Sequence, residues 1–361
     1  MNILVYDIAA SSRGALSVLE DFYRQVSSEK EHTWHFVVSL PRLPEKENIR
    51  IHRYPWVKKN PLFRVFFDLF YIHGVIRRCK IDRIVSLQNV MVTNCRLPQV
   101  VVLHNALPFH RCDRSVLSST VGILKQRVIN RRIMKSLVAA ERVIIPNEWM
   151  YRSCIGVPGV KASKVVMVKP NMEVPECVSK FKGFEGSAPR FFYPANAEPY
   201  KRHDLIFDAC EILNGRGVSG YQVLFTLTGN ENRHLMRLKG KSSVPDRFCF
   251  GGALSRERVF QEYGRSVLLF PSEIETDALP IIEAMMCGDF IIATETEFAK
   301  CILRDYPDKI LIPRNAPEAL ADAMHKVILG DFTISGGGAV DFNAWSKAGD
   351  IVDAVLGRDI G

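Results

Sequence analysis

Two glutamates with seven residues between them, Glu275 and Glu283, have the side-chain type and spacing that best suit ligand chemistry in this sequence. An apolar run at 267–270 predicts a buried strand, and the pattern of 279–287 predicts a helix that Gly288 ends. Glu275 is therefore expected in a loop and Glu283 in the helix, at the strand end where parallel sheets bind ligands. Carboxylates accept hydrogen bonds from vicinal hydroxyls, and a helix N-terminus favours an anion. The pattern predicts a site for a polyol with a negatively charged group.

The segment from Pro271 to Met285 reads Pro-Ser-x-x-Glu, seven residues, then Glu-Ala-Met. This resembles the donor-site motif of glycosyltransferase family 4, whose members are retaining enzymes of the GT-B fold. The resemblance implies that Glu275 meets the transferred sugar, that Glu283 holds the nucleotide ribose, and that the backbone between them lies near sugar and diphosphate. The donor-binding backbone is then that of Thr276, Asp277, Ala278 and Leu279. The family usually has Gly-Phe-Gly where this chain has Thr276-Asp277-Ala278. An ordinary acidic loop before a core helix is the alternative interpretation.

A second cluster of polar residues follows the first predicted strand of the second domain, from Pro194 onwards. Family members have an arginine and, five residues later, a lysine there, and both face the donor diphosphate. Lys201 matches the lysine, whereas Asn196 stands in the arginine's place. The diphosphate charge is then met by Lys201 alone, by Arg202 or by another group. A surface lysine at a helix start is the alternative, although cations are unfavourable at a helix N-terminus.

Turns after two further strands resemble parts of the donor site. Gly229, in Thr228-Gly229-Asn230, marks a turn where backbone can approach a ligand closely. Leu254 ends Gly-Gly-Ala-Leu, which resembles the turn that meets the base. Ordinary strand-ending turns are the alternative for both.

Candidate residues in the first domain lie after its strands. Arg13 and Gly14 link strand one to its helix, where backbone N–H groups can hold an acceptor phosphate. Arg13 replaces the first of two glycines that the family commonly has there, and its guanidinium can itself bind phosphate. His104 resembles the histidine that faces the donor sugar across the GT-B cleft, and His110 is a further acceptor-side candidate. A structural histidine is the alternative for His104.

Apolar runs alternate with helical patterns along the chain, which predicts an α/β fold with parallel sheets. Strands are expected at 1–6, 34–40, 49–54, 83–87, 100–103, 142–146, 164–168, 191–193, 222–227, 248–250, 267–270, 290–293 and 310–312. Helices are expected near 14–26, 61–79, 118–139, 147–155, 203–214, 256–264, 278–287, 316–329 and 342–356.

The resemblance implies the GT-B arrangement, two Rossmann-like parallel-sheet domains facing across a cleft. We expect an acceptor-binding domain at 1–170, a linker at 171–188 that is rich in Pro, Gly, Lys and Glu, and a nucleotide-sugar-binding domain at 189–341. The last segment, 342–361, is expected to pack back on the first domain.

Composition suits a globular protein of two domains, with 361 residues of which 47% are hydrophobic. The nine cysteines include no Cys-x-x-Cys pair, so their spacing suggests neither a disulfide framework nor a zinc site, and a reducing cytoplasm is the expected location. The chain starts on an apolar strand rather than a basic leader, and its longest helical apolar run contains Arg64, Asp68 and Arg77. Nothing in the pattern predicts a membrane span.

Positive charge is concentrated in the first half. Residues 1–180 contain 28 Lys and Arg against 14 Asp and Glu, although the net charge of the whole chain is +9. Aromatic and basic residues mix at 54–67, and basic residues recur at 123–135, including Arg127, Arg131 and Arg132. These segments predict contact with an anionic membrane surface, to which each basic residue contributes about 1 kcal/mol. The alternative places Phe66, Phe67, Phe70 and Ile76 in the core. The sequence contains no recognised nucleic-acid motif.

These observations predict a retaining hexosyltransferase that uses a nucleotide diphosphate sugar, most readily a UDP- or GDP-sugar, and a saccharide or lipid-linked acceptor in surface polysaccharide or glycolipid synthesis. No metal or other cofactor is expected, because Lys201, helix N-termini and backbone amides stabilise the leaving diphosphate. The catalytic candidates are Glu275, His104 and Lys201. A cytoplasmic protein, peripheral on the inner face of the membrane and without nucleic-acid partners, is predicted. The alternative is a catalytically weak GT-B-like scaffold that partners an active glycosyltransferase.

Overall fold

The computed structural model of the chain describes residues 1–10, 13–110, 120–169, 175, 180–184, 186–335 and 350–358, with backbone alone at 13–15, 120 and 121. It divides into two compact units. The first contains Met1–His110, Leu124–Asn171 and Lys347–Gly361, and the second contains Arg111–Ile123 and Met172–Ser346.

The first unit is built on a parallel sheet. In its described residues the strands are β1 (Asn2–Asp7), β2 (Thr33–Val38), β3 (Ile49–Arg53), β4 (Arg83–Ser86), β5 (Gln99–Val102), β6 (Arg142–Ile145) and β7 (Val165–Met167). They are ordered β3-β2-β1-β4-β5-β6-β7, and every pairing is parallel. The order reverses between β1 and β4, so the carboxyl ends of these two strands form the switch point of this sheet.

Both faces of this sheet are buried. Ile3 and Val5 lie on one face with Phe22 of the first helix, whereas Leu4 and Tyr6 lie on the other face. Successive strand residues point to opposite faces, so continuous apolar runs are what a doubly covered parallel sheet requires. The helices of this part of the chain are α1 (Arg13–Val26), α2 (Pro61–Phe66), α3 (Ile72–Arg78), α4 (Thr120–Ala139) and α5 (Glu148–Ile155). A π-helical turn, Phe67–Tyr71, joins α2 to α3.

The second unit repeats the architecture. Its described strands are β8 (Arg190–Tyr193), β9 (Gln222–Phe225), β10 (Phe248–Phe250), β11 (Val267–Phe270), β12 (Ile291–Thr294) and β13 (Lys309–Ile312). They are ordered β10-β9-β8-β11-β12-β13, again all parallel. The switch point of this sheet lies between β8 and β11.

Helices cover the second sheet. They are α6 (His203–Gly215), α7 (Arg233–Lys241), α8 (Arg256–Tyr263), α9 (Leu279–Cys287), α10 (Glu297–Ile302) and α11 (Pro317–Ile328). From the predicted linker, Phe181 is buried in this unit, where its backbone N–H donates to the Cys287 carbonyl at 2.9 Å.

The last described helix, α12 (Ile351–Leu356), packs on the first unit, and Val352, Ala354 and Val355 are buried in the core of that unit. Two arginines bind its C-terminal carbonyls: Arg142 donates to Ala354 at 2.7 Å and Arg83 to Val355 at 2.9 Å. Cations are favourable at this end of a helix dipole. The earlier part of the predicted helix, 342–349, lies outside the described residues.

Each of the predicted strands is present, with ends shifted by a residue or two. The helices α7 and α10 were not predicted. Among the residues described, no helix has the length and hydrophobicity needed to cross a lipid bilayer.

Candidate active site

The loops that follow β8 and β11 meet at the switch point of the second sheet. The first, residues 194–202, ends in the short 3-10 turn Pro199–Lys201, and the second, residues 271–278, leads into α9. A backbone hydrogen bond joins the two loops: the Glu273 N–H donates to the Tyr200 carbonyl at 2.9 Å. Ligands of parallel sheets bind in this position.

An ion pair lies where the two loops meet. Lys201 Nζ donates to Glu275 Oε1 at 2.5 Å, and the two side chains are 13% and 12% exposed. The Lys201 carbonyl accepts a hydrogen bond from the buried Tyr193 hydroxyl at 2.7 Å, which fixes the lysine backbone. An ammonium has three N–H donors, so one bond to Glu275 is compatible with bonds to a phosphate oxygen. The structure thus brings together two of the three predicted catalytic residues.

Arg202 holds the loops of this site together. Its backbone is left-handed, with φ 54°, and its guanidinium binds Asp204, Glu273 and the Asn315 side chain. The guanidinium therefore bridges both loops and a third one, with carboxylates on two of its sides. The exposed Asn196, predicted to stand in an arginine's place, accepts a bond from Glu198 N–H at 3.2 Å.

The residue that precedes α9 has an unusual backbone conformation. Ala278 is left-handed, with φ 45° and ψ 46°, and precedes Leu279, the first residue of α9. A glycine stands at this position in the motif that the segment resembles, and glycine adopts such a conformation readily. Asp277 Oδ1 is buried and has no hydrogen-bond partner within the described structure. Burial, and then the nearby Glu275, raise the pKa of Asp277 to about 7.

Glu283 is buried on α9, and its carboxylate has two partners on α8. Arg256 Nη1 donates to Oε1 at 2.7 Å, and the Tyr263 hydroxyl donates to Oε2 at 2.8 Å. Burial, followed by the charge of Glu283, raises the pKa of Tyr263 well above its usual value. The tyrosine is thus a permanent donor that orients the carboxylate. Neither partner was predicted, since the sequence contains no signal that links α8 to α9.

The turn at Gly229 is closed by a side chain of the protein itself. Glu231 accepts bonds from the backbone N–H groups of Thr228 at 2.6 Å and Gly229 at 3.0 Å. Gly229 has φ 87°, and a Cβ there would lie 3.2 Å from Lys239 Nζ and from the Phe250 ring. Glycine is required by both conformation and space. Leu254 is half-buried in the loop that leads to α8.

His104 belongs to the first unit, directly after β5. Its backbone N–H donates to Asn89 Oδ1 at 2.8 Å, and its Nε2 lies 3.3 Å from Asn89 Nδ2. Because the amide oxygen faces the backbone, the NH2 group faces Nε2, which assigns the ring proton to Nδ1. Burial lowers the pKa of His104 to about 4, so the imidazole is neutral at pH 7.

The other first-unit candidates are dispersed. His110 follows the turn Leu107–Phe109 and lies against Trp149, with ring centroids 6.3 Å apart. Arg13 and Gly14 begin α1. The Arg13 side chain and the preceding residues 11 and 12 lie outside the described part of the chain. In the described structure, the two side-chain groups whose spacing would suit a metal ion both belong to the first unit, His35-His52-Cys79 and Glu29-Glu31-His32.

Comparison with known sequences gives a family match in the second unit. Residues 178–333 match the family model described as "Glycosyl transferases group 1". A D-inositol 3-phosphate glycosyltransferase from Mycolicibacterium gilvum (strain PYR-GCK) is 22% identical over 227 residues, which cover 60% of this chain and 51% of that protein. The chain thus spans about half the length of this curated relative.

Solved structures share the architecture of the whole chain. Sucrose-phosphate synthase from Thermosynechococcus elongatus has a TM-score of 0.70 at 16% identity, covering 99% of this chain and 96% of its own. Anabaena HepE in complex with UDP-glucose has a TM-score of 0.64 at 14% identity, with 99% and 98% covered. This likeness shows the fold: the two parallel-sheet domains are those of GT-B proteins, and the predicted fold class is confirmed. The family match adds a likeness of the second unit to glycosyl transferases group 1.

Proposed function

We propose that this chain is a retaining glycosyltransferase of family 4 that transfers a hexose from a nucleotide diphosphate sugar to a saccharide or lipid-linked acceptor, in surface polysaccharide or glycolipid synthesis. The observation that carries the proposal is the Lys201–Glu275 ion pair at the switch point of the second sheet, with Glu283 buried on the adjoining helix. It unites a cation for phosphate with a carboxylate for sugar hydroxyls.

In the proposed site, each group binds a different part of the donor. Lys201 binds the diphosphate, and it does so in a half-buried place where charge interactions are stronger than in bulk water. Glu275 accepts hydrogen bonds from the sugar hydroxyls, and Glu283 accepts those of the ribose. In the proposed complex the Leu279 N–H, at the start of α9, binds the diphosphate. The next residue, Pro280, has no N–H to offer.

The proposed reaction proceeds by substitution on the same face of the sugar. Lys201 and the Leu279 amide stabilise the charge that develops on the leaving diphosphate, so donor binding and transfer need no metal ion. The departing phosphate helps to deprotonate the acceptor hydroxyl. His104 is a neutral imidazole at pH 7, so its role in the proposed reaction is that of a hydrogen-bonding group rather than a cation.

The favoured nucleotide is UDP, because HepE, which has the same fold, is solved in complex with UDP-glucose. GDP is the second choice. A thermal-shift screen with EDTA tests the proposal: the protein is mixed with uridine, guanosine, adenosine and thymidine diphosphates and their common sugars. Ligands that bind the native state raise the melting temperature. We expect one nucleotide to give a shift with EDTA present.

The Glu283→Gln variant makes the screen specific to the site. The substitution keeps the shape of the side chain but removes the negative charge that binds Arg256 and accepts hydrogen bonds from the ribose. The nucleotide-induced rise in melting temperature should therefore be lost, while the far-UV circular dichroism is unchanged. Glu297→Gln, on an exposed part of α10, is the control and should retain it. If no nucleotide shifts the wild type, the donor site is wrong and the scaffold hypothesis is favoured, as the exposed Asn196 in place of an arginine would then suggest.

We also propose that the enzyme works at the cytoplasmic face of an anionic membrane, where a lipid-linked acceptor is found. The segment from α2 to α3 supports this. Its inner face is core, with Phe67, Ile72 and Val75 fully buried. Its outer face is apolar yet exposed, with Phe70 65% and Leu62 72% accessible, and it also includes Phe63, Val65, Phe66 and Leu69. We call these six residues the apolar face.

Basic residues flank the apolar face. Lys58 and Lys59 precede it and are exposed. Helix α4 is tied to it, because Asp68 in the π-helical turn binds both Arg64 at 2.8 Å and Arg132 at 3.5 Å. The exposed face of α4 has Lys125, Arg127, Arg131 and Lys135 beside Leu124 and Val128, and the α4 sequence contains no acidic residue. An apolar surface bordered by cations is complementary to anionic lipid headgroups above acyl chains.

A further inference from the structure

Three soft ligand groups converge in the first unit, away from the proposed donor site. His35, His52 and Cys79 each offer one ligand atom, and these atoms all lie within 4.8 Å of one another. His35 Nδ1 is 3.1 Å from His52 Nε2, and Cys79 Sγ is 3.7 Å from the same Nε2. Cys79 is a free thiol and is half-buried.

The fold explains why residues so far apart in sequence meet. His35 lies on β2 and His52 on the edge strand β3, which pair so that Val37 faces His52. Residues two apart on a strand share a face, so both histidines project on the side of the sheet that Val37 shares with the α3 core. Cys79 is the C-cap of α3 and packs against that same core.

The two distances that involve His52 Nε2 are close to those of a tetrahedral metal centre. Zinc lies about 2.0 to 2.1 Å from histidine nitrogen and about 2.3 Å from cysteine sulfur, so nitrogen atoms on one ion are about 3.3 Å apart and nitrogen and sulfur about 3.6 Å apart. Hydrogen bonds account for the 3.1 Å and 3.7 Å contacts one at a time, whereas one ion held by all three groups accounts for both together.

We propose that His35 Nδ1, His52 Nε2 and Cys79 Sγ bind a zinc ion, with solvent in the fourth position. On binding, the thiol loses its proton to solvent, and the sulfur becomes a thiolate ligand. Both imidazoles bind through nitrogen lone pairs. Burial lowers the pKa of both imidazoles; His52 and then Arg50 also lower the pKa of His35, and Arg78 lowers that of His52. Glu45, close to His52, partly offsets these positive charges.

Such an ion would join three elements. It would fasten the edge strand β3 to β2 and both of them to the end of α3, which continues the segment that bears the apolar face. The ion would hold these elements together, and it is separate from the metal-free donor chemistry proposed above. The second group with metal-ligand spacing, Glu29-Glu31-His32, is explained by contacts within the protein. Glu29 accepts hydrogen bonds from the His32 ring and from Trp34 Nε1 at 2.9 Å, and Glu31 pairs with Arg358.

Cobalt is the spectroscopic probe for this site. The full chain is purified, stripped with a chelator, dialysed and titrated with Co²⁺. We expect visible bands of tetrahedral cobalt together with a near-ultraviolet thiolate-to-cobalt charge-transfer band, and one equivalent of Zn²⁺ should abolish both. Cys79→Ser should lose the charge-transfer band and weaken zinc binding at least ten-fold. Cys95→Ser is the matched control, because Cys95 packs against the same core but lies outside the cluster.

His52→Asn provides a second variant, which tests the nitrogen ligand if the serine variant folds poorly. Zn²⁺ should raise the melting temperature of the wild type and of Cys95→Ser, but not that of Cys79→Ser or His52→Asn. The proposal is overturned if the wild type shows no charge-transfer band, or if Cys79→Ser and Cys95→Ser bind cobalt alike. Loss of the band with unchanged donor-induced thermal shifts would separate this site from the donor site.

Discussion

Asp277 is the residue whose environment most clearly couples the proposed site to pH. In the native state its pKa is about 7, because of burial and the nearby Glu275, whereas an aspartate in an unfolded chain has a value near 3.9. Between about pH 4 and pH 7 the native protein keeps a proton that the unfolded chain has released. The contribution of Asp277 to the free energy of unfolding therefore falls as the pH rises through this interval and is constant above it.

Replacing Asp277 with asparagine should remove this dependence. We expect Asp277→Asn to be about 1 to 4 kcal/mol more stable than the wild type at pH 8 and nearly equal to it at pH 4. Urea unfolding followed by far-UV circular dichroism, at pH 4, 6 and 8, measures the difference. Because Asp7 also has a raised pKa of about 7, the wild type alone is not diagnostic.

A control separates the effect of Asp277 from general charge removal. Asp305→Asn changes the same side chain at an exposed position and should follow the wild-type profile at each pH. Parallel pH profiles for Asp277→Asn and the wild type would show that the Asp277 carboxyl is ionised in the native protein, contrary to the expectation.

Motif spacing predicted the acidic residues of the site better than their partners. Glu275 and Lys201 were predicted independently, and the structure places them in contact. Arg256 and Tyr263 were missed because a contact between two helices leaves no local pattern in sequence. The His35-His52-Cys79 cluster was missed for the same reason: its members belong to three elements, and the cysteine spacing alone suggested no metal site.

At the scale of elements, the turn into α9 has an alanine in the left-handed conformation that glycine adopts more readily. Ala278 adopts φ 45°, a conformation that costs an alanine about 1 to 2 kcal/mol. The surrounding contacts hold it there, since its side chain is buried and its carbonyl accepts a bond from Ile281 N–H at 2.8 Å. The loop therefore keeps the conformation that a glycine would allow.

Glycine substitution tests this conformation. Ala278→Gly should change the free energy of unfolding by less than about 0.5 kcal/mol, because the relieved strain offsets the lost methyl group and the greater freedom of the unfolded chain. Ala284→Gly, the same substitution in the regular part of α9, should lower it by about 1 to 2 kcal/mol. Equal losses at the two positions, measured by urea unfolding, would argue that Ala278 is not left-handed.

Elements were predictable where burial dominated their sequence. The strands are apolar on both faces, so continuous runs such as Val267–Phe270 marked them directly. The two helices that were missed lack such a signal. In α7 the described buried residue is Leu235 alone, among basic side chains, and α10 has six residues. A segment of six residues is too short to show an amphipathic period, and α7 was missed because few of its residues are apolar.

At the scale of the whole molecule, charge and exposed apolar surface coincide in the first unit. The sequence alone left Phe66, Phe67, Phe70 and Ile76 undecided between core and membrane surface. The structure divides them: Phe67 and Ile76 are buried, whereas Phe66 and Phe70 are about half exposed or more. A patch of this kind on a globular protein marks an interaction site.

Vesicle flotation tests the proposed membrane contact. The wild type should float with vesicles that contain anionic lipid and stay behind with neutral ones, and added salt should weaken the binding. Neutralising Arg127, Arg131 and Lys135 together should lower partitioning about 100-fold, because each exposed cation near the surface contributes about 1 kcal/mol. Arg132 is left intact, since removing it would deprive the buried Asp68 of a partner.

Two further variants distinguish insertion from plain electrostatic attraction. Phe66→Ser with Phe70→Ser keeps every charge and should also lower partitioning, because apolar side chains bind by burying surface in the acyl boundary. Neutralising Arg233, Arg237 and Lys241 on α7 removes three exposed charges from the second unit and should leave flotation unchanged. If the α7 variant loses as much binding as the α4 variant, the attraction depends on net charge alone. The apolar face would then need a different partner, because its residues are exposed and lipid would no longer explain that exposure.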